Sequence, residues 1–218
     1  METRARGGRE DAGEDARGGA TTSAVDVLEA RVGREKQRYN AQNQRLVAGC
    51  ICYRGVARER LAVEDSAGRL DDAQVARVGA VEVLMVNSKR GPRESGRDLI
   101  FPKGGWELDE TDAEAAAREC LEEGGVAGEV SASKQTFDFV SRSRLKAGVA
   151  GDEARCVAHV FTMEVTKEYE RWPEQGVRTR YWLTPTEAWR RCKHDWMRRA
   201  LEECEHLGLG GKAPSVPL

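Results

Sequence analysis

Apolar positions recur in a few separate stretches of the chain, with polar and glycine-rich segments between them. AVDVLEARVGREKQRY, at 24–39, places apolar residues at helical intervals and predicts a short N-terminal helix. RLVAGCICYR, at 45–54, has strand character; Cys50 and Cys52 fall on one face of such a strand as small apolar residues. The polar, glycine-punctuated run at 55–78 reads as a surface loop insertion. AVEVLMVNS (80–88) predicts a second strand, KRGPRESGRD (89–98) a basic turn region, and LIFPKGG (99–105) a short strand entering a glycine loop.

From Thr111 to Glu123 the pattern becomes that of an amphipathic helix. Thr111 is placed to cap it, Asp112 and Glu114 suit the positive end of its dipole, and Gly124-Gly125 stops it. QTFDFVSRSR (135–144), ARCVAHVFTMEV (154–165) and TRYWL (179–183) predict further strands. TPTEAWRRCKHDWMRRALEECEHL (184–207) predicts a closing helix, capped by Thr184 or Thr186, with Trp189, Cys192, Trp196 and Ala200 on its buried stripe. His194 is expected on that helix's surface, and Trp172 and Trp182 in the core. Strands, helix, strands, helix is the order of an α/β (α+β) domain built in layers. The domain is expected over 24–207, between a disordered tail at 1–23 and a flexible one at 208–218.

Composition narrows the partners. With 39% hydrophobic and 33% charged residues and a net charge of -2, the chain carries no global basic surface for nucleic acid. No apolar run has the length of a membrane span. The six cysteines form no C-x-x-C pair and fit no zinc spacing, which favours a reducing compartment, cytoplasmic and/or nuclear, with an organelle left open. The N-terminal arginines invite a transit-peptide reading, but Glu10, Asp11, Glu14 and Asp15 count against it.

The helix carries the chemistry. Residues 119, 122 and 123 share one helical face, so three carboxylates repel one another there. An ordinary solvated acidic face is the bland alternative, and for a bare E-x-x-E-E it usually prevails. Magnesium gives such a cluster a purpose, because Mg2+ favours carboxylate, water and phosphate oxygens. Glu110 and Arg118 are placed to pair and hold the glycine loop to the helix, and Gly104 and Gly105 let backbone and metal approach closely.

The full spacing runs Gly104, Glu110, Arg118-Glu119, Cys120, Glu122-Glu123, Gly125, Val126. At every position it resembles the Nudix box, G-x5-E-x7-R-E-U-x-E-E-x-G-U, a specific pattern. The resemblance implies a Nudix fold, a mixed β-sheet between helices with a loop-helix-loop motif. It also implies a hydrolase that cleaves a phosphoanhydride with Mg2+, or Mn2+ in its place. By position, Glu119, Glu122 and Glu123 are the implied metal ligands, with the carbonyl of Gly104 or Gly105. Glu110, Arg118 and Gly125 are the implied structural residues of the box. Glu122 or Glu123 is expected as general base.

QRLVAGCICYR, EVLMVNSKRGP, LIFPKGGWELDET and WPEQGVRTRYWLTPTEAWRRCKHDWM together resemble one branch, the diphosphoinositol polyphosphate phosphohydrolases and their plant relatives. That branch implies diphosphoinositol polyphosphates and/or diadenosine polyphosphates as small-molecule substrates. It matches Arg45, Arg54, Lys89, Arg90, Lys103 and Arg178 to phosphate-contacting positions. The alternatives are an ADP-ribose or nucleotide-sugar hydrolase, and a non-catalytic Nudix ligand-binding domain. Nothing in the sequence sets an oligomeric state.

Overall fold

The sheet is laid around β1 (Arg45–Gly55), whose residues are buried from Val47 to Cys52. The computed structural model describes residues 29–55, 81–88 and 97–204. Within them the other strands are β2 (Val81–Asn87), β3 (Leu99–Ile100), β4 (Lys103–Gly105), β5 (Val126–Val140), β6 (Arg155–Glu168) and β7 (Arg180–Leu183). β1 runs parallel to β6 on one side, and antiparallel to β2 and β4 on the other. The path β3-β2-β1-β6-β5 makes the sheet mixed, with β7 joined to β2.

The helices are α1 (Asp112–Glu119), α2 (Arg142–Lys146), α3 (Pro185–Arg191) and α4 (Asp195–Glu202). α1 covers one face of the sheet and α3 with α4 the other, so the central strands are apolar on both sides rather than alternating. One face packs Ala48, Cys50, Cys52, Leu84, Phe161 and Met163 against Ala115, Ala116 and Cys120 of the α1 segment. The other packs Ile51, Met85, Phe137 and Val160 against Ala188, Trp196, Met197 and Leu201 of α3 and α4. Cys50 and Cys52 share the α1 side as expected, and Cys52 Sγ lies 3.3 Å from Cys120 Sγ. No helix among the described residues is long and apolar enough to cross a membrane.

Several expectations change, among them the strand expected at 135–144, which belongs to β5 and stops at Val140, with Arg142–Lys146 forming α2 instead. Residues 29–39 are not a helix. Gly33 takes φ +109°, and the Arg38 N–H bonds the Trp106 carbonyl while the Leu108 N–H bonds that of Lys36. The segment is laid along the glycine loop, which uses its backbone groups, and Val32 is 95% exposed. The predicted helix at 184–207 is two helices. After Cys192 the Lys193 N–H bonds the carbonyl of Leu99 in β3, which breaks the helical ladder. His194 therefore precedes α4 and packs on Phe139 and Trp196 instead of lying on a helix surface. Trp172 and Trp182 are half-buried rather than core, each with a guanidinium 4.0 Å from its ring centre, Arg180 on the first and Arg54 on the second. Residues 24–28, the insertion up to residue 78 beyond Gly55, and both expected tails lie outside the described residues.

Candidate active site

α1 begins with a reciprocal cap: Thr111 Oγ1 accepts from the Glu114 N–H, and the Glu114 carboxylate accepts from the Thr111 N–H at 2.8 Å. After Glu119 the helix widens into a π turn, Cys120–Gly124, and Gly125 closes it in the left-handed region at φ 63°. Such turns are frequent at functional sites. Here the π turn spans Glu122 and Glu123, which are buried together with Glu119 just before it.

The glycine loop fits against this turn. A methyl group on Gly104 would stand 2.1 Å from Glu119 Oε1, so the Glu119 carboxylate lies directly over the Gly104 backbone. Arg118 ties loop to helix: Nε donates to Glu110 Oε2 at 2.9 Å and Nη2 to Glu110 Oε1 and the Gly105 carbonyl, both at 2.8 Å. Its Nη1 donates to Glu119 at 2.9 Å and to Glu122 at 3.3 Å. Burial pulls the Arg118 guanidinium down, but these carboxylates hold it above its ordinary value.

The three glutamates are electrostatically frustrated. Burial, then the charge of Glu123, pushes Glu119 up to about 8, against the pull of Arg118. Burial also raises Glu122 and Glu123, and Glu174 pushes both further. All three have protein partners: Glu119 has Arg118, Glu122 also accepts from the Arg31 N–H at 3.2 Å, and Glu123 accepts from the Lys103 N–H at 3.0 Å and from Arg178 Nη2. No three acidic, His or Cys side chains converge as a ligand set among the described residues. The donor set is nonetheless hard oxygen throughout, and a cation offsets three buried, mutually repelling carboxylates. The residues present fit Mg2+ in kind.

The expected phosphate-binding residues divide. Lys103 and Arg178 are drawn together with Glu123, and Lys103 and Arg45 lie close enough to feel the charge of Glu119. Burial lowers both Arg45 and Lys103 from their ordinary values. Arg45 Nε is bound by Gln37 Oε1 at 2.6 Å. Arg54, near the C-terminal end of β1, is held by Glu82 and Glu168 at 2.8 Å each, and Glu168 also pairs with Arg180, which donates to the Gly125 carbonyl of the box. Lys89 and Arg90 lie outside the described residues. Sequence reasoning missed Glu174, whose N–H bonds the Glu122 carbonyl at 3.0 Å and whose carboxylate bonds Arg178 Nε at 3.0 Å. The i,i+4 spacing of Glu174 and Arg178 was its available signal. It also missed the Arg31 backbone amide, which no side-chain pattern announces.

The NUDIX domain model matches residues 71–204. Nudix hydrolase 12, mitochondrial, of Arabidopsis thaliana is 42% identical over 181 residues, covering 82% of this chain and 81% of that protein. Nudix hydrolase 16, mitochondrial, of the same plant is 42% identical over 176 residues, covering 81% and 87%. A NUDIX hydrolase from Nitrosomonas europaea shares the fold, with a TM-score of 0.50 and 14% identity over 80% of this chain and 97% of that one. The box spacing, the sheet between helix layers and these relatives agree: the chain belongs to the Nudix hydrolase family.

Proposed function

We propose that this hydrolase is a Mg2+-dependent pyrophosphohydrolase that cleaves a phosphoanhydride bond in diphosphoinositol polyphosphates and/or diadenosine polyphosphates. The observation that carries the reading is the buried triad Glu119, Glu122 and Glu123 beside Lys103, Arg45 and Arg178. An acidic centre flanked by cations suits a metal and a densely phosphorylated substrate at once.

Glu119, Glu122 and Glu123, with the Gly104 carbonyl, would hold the metal. When bound, it lowers the pKa of water and offsets charge developing on the phosphoryl oxygens. Arg118 and Glu110 hold the glycine loop against α1, and Lys103 and Arg178 orient the phosphates. Glu122 is the base we assign, because its bonds from Arg31 and Arg118, at 3.2 and 3.3 Å, leave it less committed than Glu123. Of the two substrate classes the inositol pyrophosphate is favoured. Its recognition needs only cations such as Lys103, Arg45 and Arg178, while Trp172, Trp182 and Trp106 each already carry a guanidinium on one ring face, from Arg180, Arg54 and Arg38.

Phosphate release with Mg2+ from diphosphoinositol pentakisphosphate, diadenosine polyphosphates, ADP-ribose and capped RNA tests this. Wild type is expected to turn over the first two. Glu123→Gln is expected to fall to background, and Glu122→Gln to lose about 10²–10⁴-fold in kcat. Turnover confined to ADP-ribose would replace the substrate class, and no turnover by folded, Mg2+-supplied protein would remove the catalytic reading for this panel. The names of the Arabidopsis relatives make the mitochondrion the compartment to examine first, by imaging the full chain with a C-terminal fluorescent tag.

A further inference from the structure

Glu123, Arg178 and Glu174 form a row of charges in which the middle one is held from three directions. Arg178 is 6% exposed. Its Nη2 donates to Glu123, its Nε to Glu174 Oε2 at 3.0 Å, and its Nη1 to the Asn87 carbonyl at 2.7 Å. Glu174 is itself fixed. Its N–H bonds the Glu122 carbonyl at 3.0 Å, and its own carbonyl accepts from the N–H groups of Val177 at 2.9 Å and Arg178 at 2.8 Å. The turn that carries Arg178 is thereby fastened to the end of the glutamate-bearing helix.

The proposed function asks two things of this row that conflict. Glu123 is needed for the metal, and Arg178 is needed for a substrate phosphate, yet in the free chain each is committed to the other. A guanidinium is a rigid planar fork. With Nε held by Glu174 and Nη1 by Asn87, the direction of Nη2 is set whether or not Glu123 remains its acceptor.

We propose that Arg178 is an exchange donor, passing Nη2 from Glu123 in the free enzyme to a substrate phosphate oxygen in the loaded one, and that Glu174 is the positioning residue that keeps the fork aimed throughout. The inference rests on the reading of Glu123 as a metal ligand. It makes Arg178 a competitor of the metal and an ally of the substrate. Glu174 lowers the cost of the exchange: when Glu123 leaves, the buried guanidinium still has a carboxylate partner and is not stranded as a lone buried charge. No covalent bond changes in the exchange.

The two roles carry opposite signs. Removing Arg178 frees Glu123, so metal binding tightens while substrate binding weakens. Removing the charge of Glu174 leaves Arg178 with Glu123 as its one carboxylate partner among those described, so metal binding weakens. The fork also loses its aim, so KM rises. Simple loss of a negative charge would do the reverse to KM, because the substrate is an anion.

The test uses the full chain. Mn2+ affinity is read from the electron paramagnetic resonance of free Mn2+ with no substrate present, and KM and kcat are read on whichever panel substrate wild type turns over. Arg178→Gln is expected to bind Mn2+ about tenfold more tightly and to raise KM about tenfold or more. Glu174→Gln is expected to bind Mn2+ several-fold more weakly and to raise KM about tenfold with kcat within about twofold, and Glu174→Asp to recover most of both. Thermal melting accompanies each variant. If Arg178→Gln does not fold, Arg178→Lys keeps the charge, loses the fork, and is expected to tighten Mn2+ binding to a lesser degree. Unchanged or weaker Mn2+ binding in a folded Arg178 variant overturns the exchange, and a lower KM in Glu174→Gln overturns the positioning role. Failure of the hydrolase reading shows separately, as absence of wild-type turnover. In that event the Mn2+ measurements still score the competition, and binding of inorganic tripolyphosphate takes the place of KM.

Discussion

Glycines set the tolerances at the scale of single residues. A Cβ at Gly104 would stand 2.1 Å from the Glu119 carboxylate, so Gly104→Ala must push that carboxylate aside. A displacement of about 1 Å at a reacting centre costs on the order of 10²-fold in rate. Gly104→Ala is therefore expected to lose about that much kcat/KM and, because the displaced Glu119 carboxylate is buried and bound by Arg118, to lower the melting temperature as well. An active Gly104→Ala enzyme would show that Glu119 need not lie where it does. Gly125 behaves differently. It sits at φ 63°, and a methyl there would lie 2.7 Å from the Trp172 ring. Gly148 has a similar φ of 80° with nothing within 4 Å, so Gly148→Ala measures the backbone term alone, about 1 kcal/mol. Gly125→Ala is expected to cost at least about twice that in urea unfolding, the excess being the clash with Trp172. Equal losses at the two positions would refute the clash. The box glycines were legible as a spacing in the sequence, but the reasons for them were not. That Glu119 lies over Gly104, and Trp172 against Gly125, depends on how the chain returns between positions 104 and 172.

Elements with their own start and stop signals were read correctly, and those whose backbone is used by a neighbour were not. α1 has a capping threonine, a first-turn acid and a terminal glycine, all within its own segment, and it starts and stops where its sequence says, although the change to a π turn after Glu119 was not read. Residues 29–39 were misread because the glycine loop takes up their backbone groups, and the break at Cys192 comes from a bond to Leu99, far away in sequence. Neither partner can be seen in a local window. Two predictions belong to α1. Thr111→Ala removes the reciprocal cap and is expected to cost about 1 kcal/mol in urea unfolding, with a proportionate rescue by Thr111→Ser. The second concerns Asp112, whose Oδ2 accepts from His159 Nδ1 at 2.8 Å and from Lys134 Nζ. Burial raises the Asp112 carboxyl, but Lys134 and His159 outweigh it and hold the group below its ordinary 3.8. A carboxyl depressed on folding stabilises the folded state above the unfolded value and loses that contribution as pH falls through the folded one. Asp112→Asn is thus expected to be less stable than wild type at pH 5, with the gap closing as pH drops below about 3.8. A gap that stays constant from pH 5 to pH 3 would mean that the charge of Asp112 contributes nothing.

At the scale of the whole molecule, the sheet holds α1 on one face and α3 with α4 on the other, and the two layers serve different ends. The α3–α4 layer is apolar packing, whereas the α1 layer carries a local instability within a well-packed core. Arg118 and Arg178 answer part of the charge of Glu119, Glu122 and Glu123, yet all three carboxyls remain above their ordinary values. A divalent cation at this site should therefore act as a structural ligand of the fold as well as a reagent. A ligand at about 100 times its Kd stabilises the folded state by about 2.7 kcal/mol. For a chain of this size that corresponds to a rise of about 5–10 °C in Tm. Mg2+ is accordingly expected to raise Tm by this amount over protein in EDTA. Glu119→Gln keeps an acceptor for Arg118 Nη1 but removes one of the repelling charges. It should match or exceed wild type in EDTA at pH 8 and gain much less from Mg2+. Differential scanning calorimetry of the four samples decides the matter. If Mg2+ leaves wild type unmoved, the triad is not where the metal binds. If Glu119→Gln is the less stable protein in EDTA, then Arg118 and the π turn already satisfy the three carboxylates, and the fold does not depend on the cation.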